Sequence, residues 1–188
     1  MLDLGFHIEG VWTMPYSHPE NIEWVKEVLL KLNPKTITDV GPGAGKYGSL
    51  IKEVLPESHT TCVEIWAPYV ERFNLGEIYD SVVISDARIY QNWNCDLVIL
   101  GDVLEHMSEE EALSLWHKIS QIAKYALIAI PIIHYPQGAS EGNPFEAHVD
   151  DHWTHERVIA AFPQITEQQV FGITGSYLAN FSPNVIAQ

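Results

Sequence analysis

The sequence predicts an α/β fold, a mostly parallel seven-stranded sheet with helices on both faces and a C-terminal β-hairpin. Three observations predict it. Short β-rich runs alternate with amphipathic helical runs through most of the 188 residues, as repeated β-α-β units require. The run "CDLVILGDV" is apolar nearly throughout, as in a strand covered on both faces. The last long run, "EQQVFGITGSYLANFS", reads as two strands joined at Thr174-Gly175, a hairpin that adds antiparallel strands at one edge.

Each element has its own signal. An N-terminal arm, residues 1–17, carries Trp12 and Tyr16. The segment "SHPENIEWVKEVLLKL" has a capping-box pair, Ser17 and Glu20, and Pro19 in its first turn, with Ile22, Val25, Val28, Leu29 and Leu32 at helical spacing. "TITDVG" is a short strand, and the glycines after it lead into the helical run "KYGSLIKEVL". "HTTCVEIW" and "SVVISD" supply the next two strands. "SEEEALSLWHKISQIAK" is a helix with a second capping box, Ser108 and Glu111, acids in its first turn and a lysine at its end. "YALIAIPI" is the fifth strand. A polar loop at residues 133–153 has no periodicity and is long enough to suggest function; the short helix "THERVIAAF" follows it. No repeat or linker divides the chain, so residues 1–188 form one domain.

Charge and composition narrow the function. Twenty-five Asp and Glu oppose 10 Lys and Arg, a formal net charge of -15, which repels a polyanion and disfavours nucleic acid as a partner. No apolar run reaches the roughly 20 residues of a membrane span, and the start lacks a basic leader, so the expected location is cytoplasmic. Cys62 and Cys95 lie in strand-like runs and read as two buried free thiols.

The stretch "DVGPGAGKYG" carries the ligand signal. It is not a Walker loop, because Val40 stands where the first glycine belongs and Tyr47 follows Lys46. Nor does Gly41, Gly43, Gly45 have the Gly-x-Gly-x-x-Gly spacing. In a parallel sheet the ligand crevice lies at the carboxyl ends of the strands, and four predicted strands end at acids: Asp39, Glu64, Asp86 and Asp102. Such a ring suits a cationic ligand bearing hydroxyl and amine donors. Glu64 stands about 20 residues beyond the glycine turn, the offset of a ribose-binding acid.

These residues resemble the class I S-adenosylmethionine (SAM)-dependent methyltransferases over nearly the whole chain. "DVGPGAG" matches their Asp-x-Gly-x-Gly-x-Gly motif, with Pro42 where others often have Cys or Ala. The resemblance implies SAM as cofactor, with Asp39, Gly41, Gly43 and Gly45 at its methionine portion and Glu64 on the ribose. It also implies Asp86 on the adenine amine with Ala87 beside it, Trp66 packed on adenine, and Asp102 near the reacting methyl. "DVLEH" further resembles ubiquinone-pathway O-methyltransferases and small-RNA 2′-O-methyltransferases, in which the Glu and His bind a divalent metal. Carried over, Glu105 and His106 become catalytic residues and, with His148 and His152 of the long loop, ligands for Mg²⁺ or Mn²⁺. His106 as a general base without metal is the simpler alternative. The expected activity is O-methylation of a small-molecule or sugar-like acceptor. Metal-independent N-methylation and a non-catalytic cofactor-binding subunit are the competing readings.

Overall fold

A computed structural model describes residues 19–181, so the arm, the Ser17 side of the first capping box, Trp12 and Tyr16 lie outside the described residues. The chain builds a seven-stranded sheet with the order β3-β2-β1-β4-β5-β7-β6. The strands are β1 (Thr36–Val40), β2 (His59–Glu64), β3 (Ser81–Ile84), β4 (Leu97–Gly101), β5 (Tyr125–Pro131), β6 (Ile165–Phe171) and β7 (Thr174–Asn180). β1 to β5 pair in parallel, and β7 runs antiparallel between β5 and β6. The predicted α/β class and terminal hairpin are therefore present. The hairpin turn, however, falls at residues 172–173 rather than at Thr174-Gly175.

Strand alternation divides the core. Leu97 and Ile99 of β4, with Leu127 and Ala129 of β5, face α1 (Ile22–Leu32) and α2 (Lys46–Val54). Their neighbours Val98, Leu100, Ala126 and Ile128 face the other layer, as the two-residue period of a strand dictates. That layer contains α5 (Glu109–Ser120) and α6 (His155–Ala161), placed by Leu115, Trp116, Ile119, Val158 and Phe162. The predicted Ser108–Glu111 capping box starts α5. Two short helices, α3 (Ala67–Arg72) and α4 (Leu75–Ile78), connect β2 to β3, and Leu75 and Tyr79 pack on Cys62. Cys62 and Cys95 are free and buried.

The chain runs outward from β1 to β3 and then crosses to β4 on the other side of β1. That reversal opens a crevice beyond the carboxyl ends of β1 and β4. Three backbone hydrogen bonds hold the strand ends level around it: Gly41 N–H to the Val63 carbonyl, Ser85 N–H to Glu64 and Asp102 N–H to Ala129, at 2.9, 2.9 and 2.8 Å.

Candidate active site

A cleft of about 690 Å³ occupies this switch point. Of the sequence-predicted cofactor residues, Gly41, Gly43, Glu64, Asp86, Ala87 and Asp102 line it. Gly41 adopts φ +58, and a Cβ there would stand 3.1 Å from Val103 Cγ2, so the turn needs a residue without a side chain. Glu64 is buried, and its Oε1 accepts the Trp66 N–H at 2.6 Å. Burial pushes its carboxyl up to about 7, against that hydrogen bond. Asp102 closes β4 in the left-handed conformation, φ +54, which costs a non-glycine residue about 1–2 kcal/mol and sets its carboxylate at the cleft wall.

The other predicted cofactor residues stand apart from the lining. Asp39 is buried beneath the glycine turn, where its carboxylate accepts from Tyr79 Oη at 2.5 Å. Tyr79 in turn accepts the Gly48 N–H at 3.1 Å. Burial raises Asp39 to about 7, opposed by Tyr79 and by Lys46. Gly45 caps α2 with φ +80. Trp66 is half-buried, with its ring 6.1 Å from Phe145, and Phe145, not Trp66, lines the cleft. Asp86 reaches the cleft already engaged. Its two oxygens accept from the backbone N–H, Nε and Nη2 of Arg88 at 2.6–3.0 Å. Burial alone would raise its carboxyl, but Arg88 holds it below the usual carboxylate range.

Beside the cofactor residues, three metal-ligating side chains converge. Glu105, His106 and His148 place one ligand atom each within 4.8 Å of one another. Glu105 is buried and neither carboxylate oxygen has a hydrogen-bond partner. Burial, reinforced by Asp102, holds its carboxyl well above the usual range. His106 Nδ1 meets the Ala147 carbonyl at 3.2 Å, and His148 Nδ1 meets the Tyr135 carbonyl at 2.5 Å. A carbonyl only accepts, so each ring carries its proton on Nδ1 and, when neutral, its lone pair on Nε2. Burial and the neighbouring His148 push His106 down to about 4; burial lowers His148 as well. His152 does not join this set. It belongs to a second, more exposed group with His134 and Asp151, in which the two imidazoles stack at 4.1 Å.

Several residues at the site were not singled out by sequence. Tyr69, Arg88, Asn143, Phe145 and Glu146 line the cleft. Lys46 donates to Asn21 Oδ1 at 2.8 Å; burial pushes it down to about 8, while Asp102 and Asp39 pull upward. The loop is tied across the mouth by Val149 N–H and Asp150 N–H to the Glu105 carbonyl, 2.8 and 3.1 Å, and by Tyr135 N–H to Asp151 at 3.0 Å.

Solved structures share this architecture at low sequence identity. The methyltransferase domain of bacterial CtHen1-CN matches with a TM-score of 0.65 at 15% identity, covering 86% of this chain and 98% of that domain. Human N-acetylserotonin methyltransferase in complex with SAM matches with a TM-score of 0.63 at 16% identity, over 85% of this chain and 51% of that one. The fold is that of the class I methyltransferases. A third example of it is the N-terminal domain of EvdMO1, solved in the presence of S-adenosylhomocysteine (SAH) and D-fucose: TM-score 0.60, 11% identity, 94% of this chain and 90% of that one. The chain spans about half the length of other matched proteins, 53% of the pyocyanin biosynthetic protein PhzM and 54% of the mitomycin 7-O-methyltransferase MmcR. No protein-family profile matches the sequence, and no curated protein matches it significantly. Within this fold, no described helix is long and apolar enough to cross a membrane.

Proposed function

We propose that the chain is a SAM-dependent methyltransferase that methylates an oxygen of a small, polyol-like or sugar-like acceptor, with a divalent metal held by Glu105, His106 and His148. The observation that carries the reading is Glu105. A buried carboxylate with no hydrogen bond is costly, and two imidazoles with Nε2 lone pairs stand within ligand distance of it. A carboxylate and two imidazoles leave coordination positions open and suit a first-row divalent ion such as Mn²⁺ better than the oxygen-preferring Mg²⁺.

SAM, when bound, supplies an electrophilic methyl on a sulfonium, and the ion supplies a Lewis acid that makes an acceptor hydroxyl more acidic. The chain's own residues bind and orient. The Gly41–Gly43 turn lets the main chain approach the cofactor, Glu64 is placed for the ribose, and Ala87 with Phe145 gives an apolar wall for the base. Loop residues 134–152 cover the mouth and limit water, which strengthens every charge interaction inside. Holding acceptor and methyl in line is then the main source of rate.

His106 is better suited to ligation than to proton abstraction. At about 4 it is neutral at pH 7, as a ligand must be, but too weakly basic to take a proton from an alcohol. The sugar-like acceptor draws on the negative charge of the chain, unfavourable to polyanions, and on EvdMO1, whose structure was solved with D-fucose.

Native mass spectrometry before and after Mn²⁺ addition, paired with SAH release in the presence of monosaccharides and catechols, tests the proposal. Bound adenosyl cofactor, one retained metal and metal-dependent turnover are expected. Cofactor binding with turnover on amines that survives chelation would overturn the metal-assisted O-methylation, and binding of neither SAM nor SAH would overturn the whole reading.

A further inference from the structure

The loop after β5 brings a second carboxylate to the nucleoside side of the cleft. Glu146 ends the 3-10 turn Pro144–Glu146 and is 6% exposed. Its Oε1 accepts from Asn143 Nδ2 at 3.2 Å, whereas Oε2 is buried with no partner. Asn143 is itself fixed, its Oδ1 taking the Phe145 N–H at 3.0 Å; Gln137 Nε2 holds the Glu146 carbonyl at 2.7 Å. Tyr69 Oη, from α3, lies close to Asn143 and Glu146 without completing a hydrogen bond to either. Tyr69, Asn143, Phe145 and Glu146 line the cleft that Glu64 lines.

An unmet carboxylate oxygen beside an unmet hydroxyl defines what is missing: a group that both donates and accepts. A sulfonium donates no hydrogen bond; the adenine edge sets its amine beside ring-nitrogen acceptors, but Glu64, assigned to the ribose in the proposed function, lines this same cleft, which favours the ribose. A vicinal diol satisfies both. We propose that Glu146 binds the ribose diol of the cofactor from the loop side, opposite Glu64 on the sheet side, with Tyr69 completing the subsite. The proposal rests on the SAM-binding reading above. It gives the loop two duties, since residues 143–146 close on the nucleoside while His148 belongs to the metal group. The loop is anchored for this, with Glu141 paired to Arg72 of α3 at 2.5 Å and Phe145 against Trp66.

Calorimetric titration of wild type and Glu146→Gln with SAH and with its 2′,3′-dideoxy analogue tests the subsite. Wild type should bind SAH, and Glu146→Gln should bind it about 10- to 100-fold more weakly, the loss expected for one charge-assisted hydrogen bond. The dideoxy analogue should bind both proteins equally. Equal SAH affinity in the two proteins, or the same loss with the dideoxy analogue, overturns the proposal. Failure of wild type to bind SAH or SAM overturns the methyltransferase reading instead. Should Glu146→Gln not fold, hydrogen exchange of wild type decides: SAH should slow the amides of residues 143–149 about tenfold or more, as expected of a loop locked by ligand, and unchanged exchange there overturns the subsite.

Discussion

The long loop contributes to two clusters of two histidines and one carboxylate, supplying His148 alone to one and every member of the other, and they differ in everything but composition. In the inner one Glu105 is buried without a hydrogen bond, and both imidazoles are oriented by backbone carbonyls of the loop. In the outer one the histidine side chains are 58% and 67% exposed, and Asp151 is already paired with both His134 and His152. The outer group satisfies itself with its own members and water. In the inner group Glu105 is buried with neither oxygen hydrogen-bonded, while a loop carbonyl engages Nδ1 of each imidazole. Burial, more than residue type, decides which cluster needs a cation.

The largest expected effect separates function from stability at the inner cluster. Glu105→Ala or His148→Ala should abolish metal retention in native mass spectrometry and reduce kcat/KM about 100-fold or more, the scale of losing a metal ligand. Glu105→Gln should lose the metal too, yet leave the metal-free protein as stable as wild type, or more so at alkaline pH, where the wild-type carboxyl has to ionise in its buried site. A metal-free Glu105→Gln protein that is markedly destabilised would show that the carboxylate serves the fold.

A second prediction follows from the sign of the pKa shifts. Asp39, Glu64 and Glu146 are each raised to about 7 and Glu105 is raised as well. These groups bind protons more tightly folded than unfolded, so their contribution is fully present below their unfolded pKa values, about 4, and is lost as pH rises towards 7. Asp80, Asp86, Asp96 and Glu111 are lowered and act oppositely, losing their contribution as pH falls below about 4. Urea denaturation of the ligand-free protein should therefore give greater stability at pH 5 than at pH 8, by on the order of a few kcal/mol. Asp39→Asn should flatten this dependence while changing SAH affinity less than about threefold, because Asp39 contacts Tyr79 beneath the cleft. A large affinity loss with unchanged pH dependence would return Asp39 to the binding surface.

The sheet and the strand-end acids were legible in the sequence because each signal is local. Period-two alternation, capping residues and an acid at the end of an apolar run do not depend on distant contacts. What was illegible depends on such contacts. α3 and α4 span six and four residues, too short to show a period, and Asn74 interrupts them in the left-handed conformation. The hairpin was misplaced because Gly175 resembles a turn residue, whereas it lies in β7, where a Cβ would stand 2.3 Å from Tyr177 Oη; it is a packing glycine. Asn143 and Glu146 reach the cleft through a loop without periodicity, and nothing in the spacing of its histidines separates His148 from His152.

The glycine turn supplies an intermediate effect. Gly45→Ala places a Cβ 2.6 Å from Ile78 Cδ1 at a backbone φ of +80. Ile78 can yield, but the dihedral cannot, so a destabilisation of about 1–2 kcal/mol is expected in urea melts. SAH affinity should fall only modestly, since Gly45 lies outside the cleft lining.

The smallest effect belongs to the outer cluster and sharpens the comparison most. The double variant His134→Ala, His152→Ala removes as many imidazoles as the inner site contains. Exposed pairs contribute little, and the loop base keeps its Tyr135 to Asp151 backbone hydrogen bond together with the Arg157–Asp150 ion pair. Stability should change by less than about 0.5 kcal/mol and kcat/KM by less than about twofold, with the retained metal unchanged. A loss comparable to that of His148→Ala would mean that the two groups act as one centre, with burial an incidental difference between them. Retention of activity would show that, of four loop and turn histidines of identical chemistry, only the two more buried ones, oriented by carbonyls, take part.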